Sequence, residues 1–70
     1  MSEFKISLRA ARVNANLTLD EAAKRLHTTK QTLINYESGK TSPTVDKLME
    51  ICRLYGVRME SILFLPTESN

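Results

Sequence analysis

The sequence predicts an all-α fold, a compact domain of five short helices, and three observations support this. Apolar residues recur at spacings of three and four, the period of a helix that buries one face. No stretch alternates apolar and polar residues as a half-buried strand would. The two glycines and two prolines all fall at boundaries between helical patterns.

Helix 1 is expected from about Lys5 to Ala15, with Phe4, Leu8, Ala11 and Ala15 on one face. Asn16 follows where a left-handed stop is needed, a conformation Asn tolerates. Helix 2 opens on Thr18, whose hydroxyl can accept from the backbone near Glu21 while the Glu21 carboxylate reaches back, a capping box. Leu17 and Ala22 are placed to form its hydrophobic staple. Leu19, Ala22, Ala23 and Leu26 make its apolar face. After the break His27-Thr28-Thr29, helix 3 starts with Thr29 as N-cap and ends near Ser38, with Gly39 as the left-handed stop. So short a connection forces helices 2 and 3 to cross steeply, as in a helix-turn-helix. Helix 4 follows the loop Lys40 to Thr44, buries Val45, Leu48, Ile51, Cys52 and Tyr55, and ends at Gly56. Helix 5 is expected from about Met59 to Leu63.

Seventy residues make one domain, expected over residues 1–65 with a frayed tail at 66–70. A chain this short buries a modest core, and one cysteine cannot form an internal disulfide, so packing and dimerisation are its means of stabilisation. A single thiol fits a reducing compartment. No apolar run approaches the ~18 residues of a membrane span, and the N-terminus lacks a signal-peptide layout. The expected location is the cytoplasm, with no membrane partner. The net charge is +2, but residues 1–41 carry net +3 and residues 42–70 net −1. The basic excess points the first part of the chain toward an anionic partner.

On a helical wheel, helix 3 divides into two chemistries. Thr32, Leu33, Tyr36 and Glu37 share an anchoring arc. Lys30, Gln31, Ile34, Asn35 and Ser38 share the other. Gln and Asn amides donate and accept together, as bidentate pairing with adenine requires, and Lys donates to guanine O6 and N7. Ile34 either meets a thymine methyl or packs on a neighbouring element. Thr28 and Thr29 stand beside free N–H groups at the start of helix 3, and Thr18 does the same for helix 2, so both are natural phosphate sites. Ser38, Lys40 and Thr41 add hydroxyls and a positive charge beyond the far end of helix 3.

The stretch Leu17-Thr18-Leu19-Asp20-Glu21-Ala22-Ala23-Lys24-Arg25-Leu26, followed by His27-Thr28-Thr29-Lys30-Gln31-Thr32-Leu33-Ile34-Asn35-Tyr36-Glu37-Ser38-Gly39-Lys40, resembles the helix-turn-helix of the Cro and lambda-repressor-like family, also called the xenobiotic-response-element family. Pro43, Leu48, Ile51, Gly56 and Val57 continue the family pattern, and the resemblance spans about residues 8–64. It implies a five-helix fold whose third helix enters the major groove of double-stranded DNA. By position it implies base reading by Lys30, Gln31 and Asn35, and phosphate contacts from Thr18, Thr29, Ser38, Lys40 and Thr41. Ala23 becomes the small residue where helices 2 and 3 approach, and Leu33 and Tyr36 the anchors of helix 3. The resemblance also implies an ion pair between Arg12 and Glu37, with Arg12 near a phosphate. Two positions depart from the family. His27 replaces the usual glycine of the turn, where φ is positive, and Arg58 stands where a serine-like cap is common.

Other chemistries find little support. His27 and Cys52 are the only residues of their types, too few for a metal site. Cys52 is expected in the core, and Asp20 and Glu21 suit the positive end of helix 2. No phosphate-cradling glycine loop or nucleophilic triad is present, so neither an enzyme, a cofactor nor a small-molecule ligand is expected. Met59, Ile62, Leu63, Phe64 and Leu65 are expected either to pack on helices 1 and 4 or to form the interface of a homodimer reading a palindromic operator. The function expected is a DNA-binding transcriptional regulator, a repressor. The alternative is an antitoxin or anti-regulator whose main partner is a protein, a toxin or an antagonist.

Overall fold

The computed structural model describes residues 5–63. In order they form a two-residue strand β1 (Ile6–Ser7), helices α1 (Leu8–Asn14), α2 (Leu19–Arg25), α3 (Lys30–Ser38) and α4 (Val45–Tyr55), a single 3₁₀ turn (Met59–Ser61) and a second short strand β2 (Ile62–Leu63). The described residues thus hold four α-helices where five were expected. The fifth helix is replaced by the 3₁₀ turn and β2, which pairs in parallel with β1, Ile6 opposite Ile62 and Ser7 opposite Leu63. β-branched Ile6 and Ile62 suit extended backbone.

Helix α1 also begins later than expected. Ser7 stays extended and its hydroxyl accepts from the Ala10 N–H at 3.1 Å, so the helix starts at Leu8. Residues 5 to 7 are thereby left extended, and β1 forms there. Phe4, expected on the face of helix 1, lies outside the described residues.

Helices of seven to eleven residues do not hold their shape alone. Each has a Ser or Thr N-cap accepting from the third N–H of the helix: Ser7, Thr18, Thr29 and Thr44. Each cap is worth about 1 kcal/mol. Each helix is followed by a left-handed residue: Asn16 (φ 62°), His27 (φ 55°), Gly39 (φ 83°) and Gly56 (φ 74°). This conformation turns the next N–H back to a carbonyl in the last turn: Leu17 to Arg12, Thr28 to Ala23, Lys40 to Asn35 and Val57 to Cys52, at 2.9–3.2 Å. At Gly56 there is open space around a built Cβ, so φ alone disfavours a side chain there.

One core joins these elements. It contains Leu8 and Ala11 of α1, Ala22 and Ala23 of α2, Leu26, Leu33 of α3, Leu48, Ile51, Cys52 and Tyr55 of α4, and Ile62 of β2. Leu33 and Ile51 are the largest fully buried side chains. Val45 was expected in this stripe but is 65% exposed. It occupies the first position of α4, before the turn that faces the core.

Candidate nucleic-acid interface

Helices α2 and α3 are held at their crossing by backbone chemistry. The capping box at the start of α2 is complete: Thr18 Oγ1 accepts from the Glu21 N–H at 3.1 Å, and Glu21 Oε1 accepts from the Thr18 N–H at 2.9 Å. At the other end, left-handed His27 reverses the chain and the Thr28 N–H reaches Ala23 O at 2.9 Å. Thr29 then caps α3 through the Thr32 N–H at 3.1 Å. Buried Ala22 and Ala23 fill the inside of α2, and buried Leu33 anchors α3. Half-buried Tyr36 packs against the same core.

Sequence reasoning missed one support of this frame. Lys47 of α4 donates to Leu26 O at 3.1 Å and to Glu50 at 3.2 Å. It satisfies a carbonyl at the negative end of α2 from a different helix. Its i,i+3 spacing from Glu50 was visible in the sequence, but the contact with Leu26 depends on tertiary packing.

Arg12 ties the outer end of α3 to α1. Its Nε donates to Glu37 Oε2 at 2.7 Å, its Nη2 to Glu37 Oε1 at 3.3 Å, and its Nη1 to Leu17 O at 2.9 Å. The two side chains are 9% and 11% exposed. The hydrogen bond to Glu37 raises the Arg12 pKa, against the lowering effect of burial. The same cluster affects Tyr55. Burial, helped by the Glu37 charge and opposed by Arg12, pushes its phenol up to about 12. Burial also raises the Cys52 thiol, so this core residue stays protonated. Its guanidinium is committed to Glu37 and Leu17, so Arg12 is turned inward as the tie between α1 and α3 rather than toward the outer edge where a phosphate contact was expected.

The outer face of α3 brings together the residues expected to read bases. Lys30 and Gln31 are exposed, and Ile34 and Asn35 are half-buried beside them. Gln31 Nε2 donates to Asn35 Oδ1 at 3.0 Å, one helical turn away. Lys30 Nζ lies 3.9 Å from Asp20 Oδ1, but both side chains are more than half exposed, so this pair is weak and leaves Lys30 free to swing. The candidate phosphate groups lie along the edges of this face. Thr18 and Thr29 use their oxygens as caps, and Thr29 also shares a 2.8 Å hydroxyl contact with Thr32. Thr28 is half-buried in the turn. Ser38 donates to Asn35 O at 3.3 Å, and Lys40 and Thr41 are exposed past the end of α3.

At the apolar end near β2 the two expectations divide by residue. Ile62, expected either in the core or at a dimer interface, is 5% exposed and belongs to the core, where it pairs with Ile6. Met59 is half-buried against that core, and Leu63 is 51% exposed. Phe64, Leu65 and the tail at 66–70 lie outside the described residues. Arg58 precedes the 3₁₀ turn without a side-chain capping bond, and pairs instead with Glu60 at 2.8 Å. No group of three His, Cys, Asp or Glu side chains suited to a metal occurs among the described residues. No helix among them is long and apolar enough to cross a membrane.

With that geometry in place, comparison with known proteins assigns the family. A helix-turn-helix family model matches residues 8–62. The chain belongs to the Cro/C1-type helix-turn-helix family. An uncharacterised helix-turn-helix-type transcriptional regulator of Methanocaldococcus jannaschii is 36% identical over 59 residues, 84% of this chain and 89% of the relative. A second uncharacterised regulator of this type, from Archaeoglobus fulgidus, is 28% identical over 65 residues, 93% of this chain and 92% of the relative. The transcriptional activator BcrR of Enterococcus faecalis is 30% identical over 61 residues, which cover 87% of this chain but 30% of BcrR. No solved structure matches significantly. Each of these relatives is named as a helix-turn-helix-type transcriptional regulator or activator, and this chain shares their helix-turn-helix domain.

Proposed function

We propose that this protein reads a specific duplex sequence by laying α3 in the major groove, and that it represses transcription by occupying its operator. The observation that carries this reading is the polar face of exposed Lys30 and Gln31 with half-buried Asn35, on a helix fixed from behind by Leu33 and by the Arg12–Glu37 pair. Lys30, Gln31 and Asn35 together form the base-reading face, with Ile34 against a thymine methyl. Thr18, Thr28, Thr29, Ser38, Lys40 and Thr41 hold the flanking phosphates and set the register. Repression requires only occupancy, so it is the simplest output of such a module. The protein works in the cytoplasm as a homodimer on a palindromic site, with exposed Leu63 at the dimer contact, and a protein antagonist is the natural means of release.

Selection of bound duplexes from a random pool tests this directly. The expected result is one enriched motif with two-fold symmetry, bound with an affinity that falls steeply as salt rises. A motif without symmetry would remove the dimer. No enrichment, together with capture of a protein at a salt-insensitive affinity, would replace this reading with the anti-regulator one.

A further inference from the structure

The Gln31–Asn35 hydrogen bond divides labour between two residues that otherwise look like equivalent base readers. We infer that they form one reading unit for a single adenine, in which Gln31 makes the base contact and Asn35 is a positioning residue that holds the Gln31 amide. The inference rests on the proposed docking of α3 and deepens it.

A carboxamide has one acceptor oxygen and two N–H donors. Bidentate pairing with adenine uses the oxygen, which accepts from N6, and one N–H, which donates to N7. The other N–H is left over. In this protein Gln31 Nε2 donates to Asn35 Oδ1 at 3.0 Å, so the leftover donor has a partner on the helix itself. Gln31 is exposed and would otherwise lose side-chain freedom on binding. Asn35, shorter and half-buried, sits one turn farther along α3, on the same side of the helix as Gln31. The bond thus orders Gln31 before DNA arrives and points its Oε1 and second N–H away from Asn35. It also occupies the Asn35 oxygen, which an independent adenine contact from Asn35 would need.

The test compares base preference, position by position, for the wild-type protein, Gln31→Ala, Asn35→Ala, Asn35→Asp and the double alanine variant on randomised duplexes. The wild type is expected to prefer adenine at one position per half-site. Gln31→Ala should abolish that preference and lose roughly tenfold to a hundredfold in affinity. Asn35→Ala should weaken the preference at the same position, and the double variant should be no worse than Gln31→Ala alone. Asn35→Asp keeps an oxygen to accept from Gln31 and should retain the adenine preference, although its charge lowers overall affinity. Relaxation at a different base pair in Asn35→Ala, or additive losses in the double variant, would overturn the inference while leaving the DNA-reading function intact. A wild-type protein that enriches no duplex would instead count against the docking of α3, and this inference would fall with it.

Discussion

The α2–α3 region and the β1–β2 end of the molecule are built by opposite means. Around α2 and α3 the decisive contacts are local. Thr18 with Glu21, Thr29 with Thr32, and Thr28 with Ala23 join residues within a few positions of one another. At the other end, Ile6 meets Ile62 from opposite ends of the described chain, and neither neighbourhood announces the pairing. The difference teaches that the geometry of the α2–α3 region is specified by local contacts, whereas the closure beneath it depends on the whole core assembling. Variants that separate the two kinds of contact test this contrast.

The largest effect is expected at the place where the two kinds of contact overlap. Glu37→Ala leaves the Arg12 guanidinium buried without its partner, which costs about 3–5 kcal/mol. A 70-residue protein has a total stability of about 4–10 kcal/mol, so this variant should be partly unfolded at ambient temperature in a denaturant titration. Replacing both partners, Arg12→Met with Glu37→Leu, should recover most of the loss. Failure to recover would mean that the pair does more than neutralise itself, for instance by orienting Leu17 through Arg12 Nη1.

Next comes Ile62→Ala, which removes core volume at the strand pairing and should cost about 3 kcal/mol. The loss should appear in a single cooperative transition that includes α2 and α3, because Ile62 shares one core with Ala22, Ala23 and Leu33. A transition in which helical signal survives while the end opens would show that the reading head stands independently, and would sharpen the contrast into two folding units.

These two sites also mark what could be read in the sequence. The caps Thr18 and Thr29, the stops Asn16, Gly39 and Gly56, and the division of α3 into Leu33 and Gln31 faces all follow from residue type and helical period. The fifth helix is absent because the five residues Met59 to Leu63 are too few for periodicity to separate helix from strand, and the pairing that decides the matter is non-local. Ser7 is a legible signal for the start of α1. The same residue type that begins α2 and α3 begins α1, and this alone places Ile6 outside the helix. The inward turn of Arg12 came from family resemblance, since nothing in its own neighbourhood distinguishes it from exposed Arg9.

A smaller effect depends on pH. The Tyr55 phenol titrates at about 12 in the fold against an ordinary value near 10. Its folded pKa is raised, so its contribution is complete below the unfolded value and is lost as pH climbs through the folded one. The two-unit difference corresponds to a decline of about 2–3 kcal/mol across that window. Thermal melts of wild type and Tyr55→Phe should run parallel at neutral pH and diverge above pH 10, with the wild type falling faster. Parallel behaviour throughout would mean that water reaches the phenolate inside the Arg12–Glu37 cluster.

The smallest effect lies in the turn. His27 holds φ at 55°, which for a residue with a Cβ costs about 1–2 kcal/mol. Glycine removes that penalty but adds about 0.5–1 kcal/mol of unfolded-chain freedom. His27→Gly should therefore raise stability slightly, by about 0.5 kcal/mol, and leave the selected DNA motif unchanged, because the hydrogen bond that closes the turn runs between the Thr28 and Ala23 backbones. The measurement is a melting temperature together with the selected motif. A more stable variant that selects a different motif would show that the imidazole helps set the angle of α3. The local region would then need a side-chain contact that backbone chemistry does not supply, and the contrast with the β1–β2 end would narrow.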